Sequence, residues 1–353
     1  LKANEPPNSW WVELMKKKIF DLLLVIKAEV IKSAQPSSRQ IASVATADIQ
    51  DFEIAISEPE LTFVPLEDNP ARMLDAESVS SAPETHYFQI EDDRHPRKIA
   101  YTVSGNMNAE NILICLPGLL ETKASFASIH AYFLRFENCK VISIDFSGRG
   151  ESDYIDQYGA YKMSLYLSDV GKLIQGTILT AAKTHQRLSI FGTSMGGVLA
   201  MYLTKIFDKK INSIVLNDIA LTVNWTALYT LYKSMKNELG FKEVRELAKE
   251  LSVDEKAIAD VQLPGHFDLS YRADVWGMNF HEALEGFKGK VGLVYGGESK
   301  ICTEQRVHEI KAFIPRLNTL KVLNAGHPVP VDDLVCDFVH SQMGLRPVSR
   351  PKI

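Results

Sequence analysis

Phe191-Gly192-Thr193-Ser194-Met195-Gly196-Gly197 is the stretch on which the reading of the whole chain turns. A short apolar run, Leu188-Ser189-Ile190-Phe191, precedes it, and Val198, Leu199, Tyr202, Leu203 and Ile206 follow at helical spacing. The pattern predicts a strand, a tight glycine-flanked turn and a helix, with Ser194 at the apex. Its neighbours must be small, because such a turn forces the serine into an unfavourable backbone conformation. In return the hydroxyl stands above the sheet at a helix N-terminus, where partial positive charge favours a developing anion. Gly-x-Ser-x-Gly alone recurs by chance. The flanking strand and helix are what make it a nucleophile elbow.

Apolar strands and helical stretches alternate from about Thr85 onward. Residues 87–90 and 98–101 predict an antiparallel opening pair. Further strands are predicted at 112–116, 141–144, 188–191, 214–216, 291–295 and 320–323. Continuously apolar strands separated by helices predict an α/β fold with a mostly parallel, eight-stranded sheet covered on both faces. Between 219 and 287 the strand signal gives way to helical patterns, at 225–239 and 242–251, and this insertion reads as a helical cap over the site. The core is therefore expected at 85–218 and 288–345, with a short tail at 346–353.

Residues 1–84 have a different character. Trp11, Leu14, Met15, Leu22, Val25, Ile26 and Val30 repeat at helical spacing within 10–33, beside Lys16, Lys17 and Lys18. This predicts an amphipathic helix, and packing against the main domain or a partner is the favoured reading over an interfacial membrane helix. Residues 34–84, rich in Ser, Ala, Pro and acidic residues, read as a loosely packed extension. The most apolar run, 19–26, is too short to span a bilayer and carries Asp21. The chain opens on Leu1 rather than methionine, which leaves N-terminal processing open.

The 353 residues are 46% hydrophobic, enough for a full core, and carry a net charge of only −5, which gives no footprint for nucleic acid. Four cysteines in a chain this long do not make a disulfide framework, and Cys115 and Cys139 read as core residues. A reducing, cytoplasmic location is expected. No Cys/His cluster has zinc spacing, and no metal or cofactor is expected.

Several further motifs fall in a fixed order around the elbow. Leu116-Pro117-Gly118-Leu119 ends the third strand. Asp145-Phe146-Ser147-Gly148-Arg149-Gly150-Glu151-Ser152 follows the fourth, Val215-Leu216-Asn217-Asp218 ends the sixth, and Gly326-His327 follows the last. In this order the chain resembles the α/β-hydrolase superfamily over roughly residues 85–345, and looks most like capped bacterial esterases and meta-cleavage-product hydrolases. The resemblance implies His327 as the base for Ser194, and the backbone N–H groups of Met195 and Leu119 as oxyanion donors. The superfamily's usual acid position, after strand seven, falls in Gly296-Gly297-Glu298-Ser299-Lys300 on Lys300, which cannot accept a histidine N–H. Asp218 is the preferred acid, Glu298 the second choice and the absence of an acid the third. Asp145 and Arg149 read as structural. Leu120, Trp225, Tyr271 and Trp276 are candidate pocket residues, although aromatics at this density are more often core.

The leading expectation is a serine hydrolase cleaving a carboxylic ester with a small or medium hydrophobic acyl group, through an acyl-enzyme. Carbon–carbon bond hydrolysis and acyl transfer would use the same groups. The rival from another class is a non-catalytic binding protein, which Lys300 favours and the strained elbow opposes.

Overall fold

The computed structural model describes residues 83–92, 95–155, 161, 163–179, 186–222 and 280–345. Within them lie eight strands: β1 (Glu84–Ile90), β2 (Arg97–Gly105), β3 (Asn111–Leu116), β4 (Cys139–Ile144), β5 (Arg187–Thr193), β6 (Ile211–Asn217), β7 (Lys290–Gly296) and β8 (Asn318–Val322). The helices are α1 (Ala127–Phe133), α2 (Met163–Leu173), α3 (Met195–Phe207), α4 (His281–Leu284), α5 (Glu304–Phe313) and α6 (Asp333–Met343). The strands form one sheet in the order β1-β2-β4-β3-β5-β6-β7-β8. β2 pairs antiparallel with both β1 and β4, and every pairing from β4 to β8 is parallel.

The apolar runs become strands because both faces of the sheet are covered. Ile112, Ile114 and Leu116 of β3, with Leu188 and Ile190 of β5, belong to one hydrophobic layer with Val198, Leu199 and Leu203 of α3. The alternate residues Leu113, Cys115 and Phe191 belong to a second layer with Ile129 and Phe133 of α1 and Val335, Cys336 and Val339 of α6. The period of two along each strand and the apolar stripe of each helix meet in these layers. All four cysteines are free and buried.

The order of strands positions the site. The chain leaves β3 and β5, and β5 and β6, side by side at their C-terminal ends, the crevice where open parallel sheets carry ligand-binding groups. Phe280 and Ala283, within the 219–287 stretch that the sequence pattern reads as cap, pack into the core. Phe280 is buried beside Tyr202 of α3, and the Thr204 hydroxyl donates to the Ala283 carbonyl at 3.0 Å. The helix expected at 10–33, the extension up to residue 82, the cap helices with Trp225, Tyr271 and Trp276, and the tail at 346–353 lie outside the described residues. Among the described residues no helix is long and apolar enough to cross a membrane.

Candidate active site

Ser194 stands between β5 and α3 as the N-cap of the helix, with φ 48° and ψ −111°. For a side chain other than glycine this is a strained conformation, and three constraints hold it. The Ser194 N–H donates to the Asn217 carbonyl of β6 at 2.9 Å, and its own carbonyl accepts from Gly197 and Val198 in the first turn of α3. A Cβ on Gly196 would collide with the carbonyls of Leu116 and Pro117, and one on Gly192 with the backbone of Gly196. The glycines let β3, β5 and α3 approach closely enough for the turn to form.

His327 comes from the loop after β8. Its Nε2 lies 2.9 Å from Ser194 Oγ and its Nδ1 lies 2.7 Å from Asp218 Oδ2. Its side chain is 12% exposed and Asp218 is fully buried. The loop is stitched to its neighbours: Asn217 Nδ2 donates to the Val329 carbonyl at 2.9 Å, and the Glu298 N–H donates to the Ala325 carbonyl at 2.9 Å. The peptide between His327 and Pro328 is cis.

Asp218 directly follows β6, with φ 57°, a left-handed conformation that aspartate tolerates better than most residues. Its N–H donates to the Val294 carbonyl at 2.8 Å. Oδ1 accepts the Gly296 N–H at 3.0 Å, and Oδ2 accepts the Ser299 hydroxyl at 2.6 Å as well as meeting His327. A buried carboxylate must find such donors, because unpaired it would be expensive to desolvate. The last residue of β7 and the turn after it, where the resemblance looks for the acid, thus each supply one donor to a carboxylate that directly follows the adjacent strand β6. Glu298 and Lys300 in that turn are both exposed, and the Glu298 side chain has no hydrogen bond among the described residues. Ser299 was not singled out from the sequence. A serine beside the expected acid position carries no distinguishing signal until Asp218 is known to lie next to it.

The turn after β3 faces the elbow. Leu119 and Leu120 are 7% and 3% exposed. Neither the Leu119 N–H nor the Met195 N–H has a backbone acceptor among the described residues. The next residue, Glu121, was also not anticipated. It is 7% exposed, and its Oε2 accepts the Gly118 N–H at 2.6 Å. Burial pushes its carboxyl up to about 7, and the Gly118 N–H and nearby His327 pull it back only partly. Beyond it the chain is pinned by Asp145 at the end of β4, whose carboxylate accepts from the Lys123 N–H at 2.7 Å, Lys123 Nζ at 2.8 Å and the Glu151 N–H at 3.0 Å. Arg149 is buried against Tyr166, its Nη2 donating to the phenol oxygen at 3.4 Å. Among the described residues no group of three or more His, Cys, Asp or Glu side chains could hold a metal ion.

This sheet, with a serine elbow after its central β5, has the α/β-hydrolase architecture. A family model described as "alpha/beta hydrolase fold" matches residues 111–235 of the chain. It is 22% identical to a 3-hydroxybutyrate-oligomer hydrolase of Cupriavidus necator, over 72% of this chain and 95% of that one. Among solved structures it superposes on a hydrolase from Pseudomonas aeruginosa with TM-score 0.60 and 16% identity, covering 73% of this chain and 98% of that one. A thermophilic esterase from Thermogutta terrifontis gives TM-score 0.56 at 15% identity, over 73% and 98%. At these identities the superpositions speak for the fold.

Proposed function

We propose that the protein is a serine hydrolase of carboxylic esters, with Ser194 as nucleophile, His327 as general base and acid, and Asp218 as the group that orients and charge-stabilises His327. The observation that carries this reading is the unbroken file of hydrogen bonds from Ser194 Oγ through both nitrogens of His327 to a buried carboxylate. In the proposed cycle Ser194 Oγ attacks the ester carbonyl while His327 Nε2 takes its proton. The oxyanion is met by the N–H groups of Met195 and Leu119. His327 then gives the proton to the departing alkoxide, leaving an acyl-Ser194. Water, deprotonated by His327, attacks the acyl carbon and releases the acid, and the proton returns to Ser194. Asp218 stays ionised throughout and holds Nδ1–H.

Leu119 and Leu120 suit a small or medium hydrophobic acyl group. The Cupriavidus relative's name directs attention to hydroxyacyl esters, so 3-hydroxybutyrate dimers and trimers belong beside simple acyl esters of graded length in the first substrate panel. The decisive test is a fluorophosphonate probe on the folded protein, with intact mass and peptide mapping. Labelling of Ser194, abolished by Ser194→Ala together with ester turnover, is the expected result. A folded protein that resists the probe and leaves every ester intact would reduce the chain to a binding protein.

A further inference from the structure

We infer that Glu121 is a positioning residue, whose side chain fixes the turn that presents the Leu119 N–H to the oxyanion. The inference rests on the serine-hydrolase reading above and deepens it. Glu121 closes the turn at both ends: its own N–H donates to the Gly118 carbonyl at 3.2 Å, and its Oε2 accepts the Gly118 N–H at 2.6 Å. Leu119 and Leu120 are held between these two bonds, so the Leu119 N–H has little freedom to tilt. Preorganised donors are worth most in a dry site, because nothing has to reorganise as charge develops.

The carboxyl is close to the chemistry. A Cβ built on Gly118 would lie 2.9 Å from Glu121 Oε2 and 3.6 Å from Ser194 Cβ, so one α-carbon separates the brace from the nucleophile. An acid buried beside Leu119 and Leu120 is costly for packing alone, and an apolar side chain would fill the same space without that cost. What a carboxyl adds is an acceptor for Gly118. A side chain at Gly118 would press on that acceptor and displace it.

The brace has a charge state that matters. Among the described residues the titratable side chain facing it is His327, from the loop after β8, while Lys123 and Asp145 in the adjoining segments are paired with each other. When neutral, the carboxyl still accepts the Gly118 N–H through its carbonyl oxygen. When ionised, it places a negative charge beside a developing oxyanion and raises the barrier. With the carboxyl held up at about 7, the change falls within the ordinary working range.

The test uses the full-length wild type, Glu121→Ala and Glu121→Gln, with amide hydrogen exchange at Gly118, kcat and KM for a short acyl ester, and fluorophosphonate labelling. Glu121→Ala is expected to speed Gly118 exchange at least about tenfold and to lower kcat about 10- to 100-fold, with KM within about threefold. Glu121→Gln keeps an acceptor oxygen and should restore both at about pH 6, and the wild-type to Gln ratio of kcat should fall about threefold or more by about pH 8.5. Exchange and kcat of the Ala variant within about twofold of wild type would overturn the inference, as would a Gln variant no better than Ala at about pH 6. If the Ala variant does not fold, the Gln comparison decides, and a ratio independent of pH counts against the brace. A wild type that is neither labelled nor active sinks the serine reading and this catalytic role with it. Failure of the brace inference alone shows instead as normal labelling of the wild type with unchanged Gly118 exchange in the Ala variant.

Discussion

The carboxylate of Asp218 meets Nδ1 of His327 at 2.7 Å although 109 residues separate them in the chain. The two come together because β6 ends beside β7, and the loop after β8 is tied back across the end of β7. If this contact orients the base, Asp218→Asn should lower kcat by about 10²- to 10⁴-fold, since an amide can hold the wrong imidazole tautomer. Glu298→Gln should leave kcat within about twofold. Ser299→Ala, which removes one of the donors to Oδ2, should cost about 1–2 kcal/mol of transition-state stabilisation, seen as about a 5- to 30-fold lower kcat. Steady-state kinetics on the three variants ranks them, and a Glu298 variant weaker than the Asp218 variant would reassign the acid.

Much of this arrangement could be read from the chain. The elbow was legible because strand, glycines and helix are all local signals, although the contacts that require the glycines are only partly local: Gly192 meets the backbone of Gly196, whereas Gly196 faces the Leu116 and Pro117 carbonyls at the end of β3. Most strands were legible because the sheet is buried on both faces, which removes polar residues from them. What local pattern could not supply was partnership across the sheet. Ser299 and Glu121 matter through contacts with Asp218 and Gly118 that depend on which strand ends lie side by side and on how a turn folds back. Phe280, inside the stretch read as cap, is a further case of partnership that local pattern does not supply. It belongs to a helical-looking stretch whose allegiance is set by the face of α3 it covers, not by its own periodicity.

Gly196→Ala should be the most damaging methyl among the described glycines. The added carbon would meet the Leu116 and Pro117 carbonyls, which are backbone atoms and cannot rotate away. Relief would require α3 and β3 to separate, at a cost of about 3 kcal/mol or more. Chemical denaturation should show a lower midpoint with an unchanged slope, together with loss of probe labelling at Ser194. Normal stability with normal labelling would mean that the elbow is looser than its geometry implies.

His130 of α1 should stay neutral in the folded protein well below the range of an ordinary histidine. It is buried, with Ser104 Oγ at 2.6 Å from Nδ1 and Ser143 Oγ at 2.9 Å from Nε2, and burial pushes its pKa down to about 4. Because the folded value lies below the unfolded one, the unfolded chain binds the proton more readily between about pH 4 and 6.5. Its contribution to stability is therefore complete above about pH 6.5 and falls as the pH drops toward 4, by about 3 kcal/mol at most. An NMR titration of the imidazole carbons should show no protonation until the protein is near pH 4. A midpoint near 6.5 in the folded state would contradict the buried network.

Glu121 should pull stability the other way. Its folded pKa is raised to about 7 from an ordinary 4.5, so the folded state holds the proton more tightly than the unfolded chain does. The folded protein therefore loses stability as the pH rises from about 4.5 through 7, and the loss levels off above that, at about 3 kcal/mol in the limit. Glu121→Gln removes the titration while keeping an acceptor for the Gly118 N–H. The difference in unfolding free energy between the variant and the wild type should thus grow in favour of the variant across that window, whatever other groups titrate there, because they are common to both. Urea unfolding at about pH 5 and about pH 8 measures the difference directly. A constant difference would mean that the carboxyl is solvated enough to ionise freely, and that a water-accessible path reaches the turn beside Ser194.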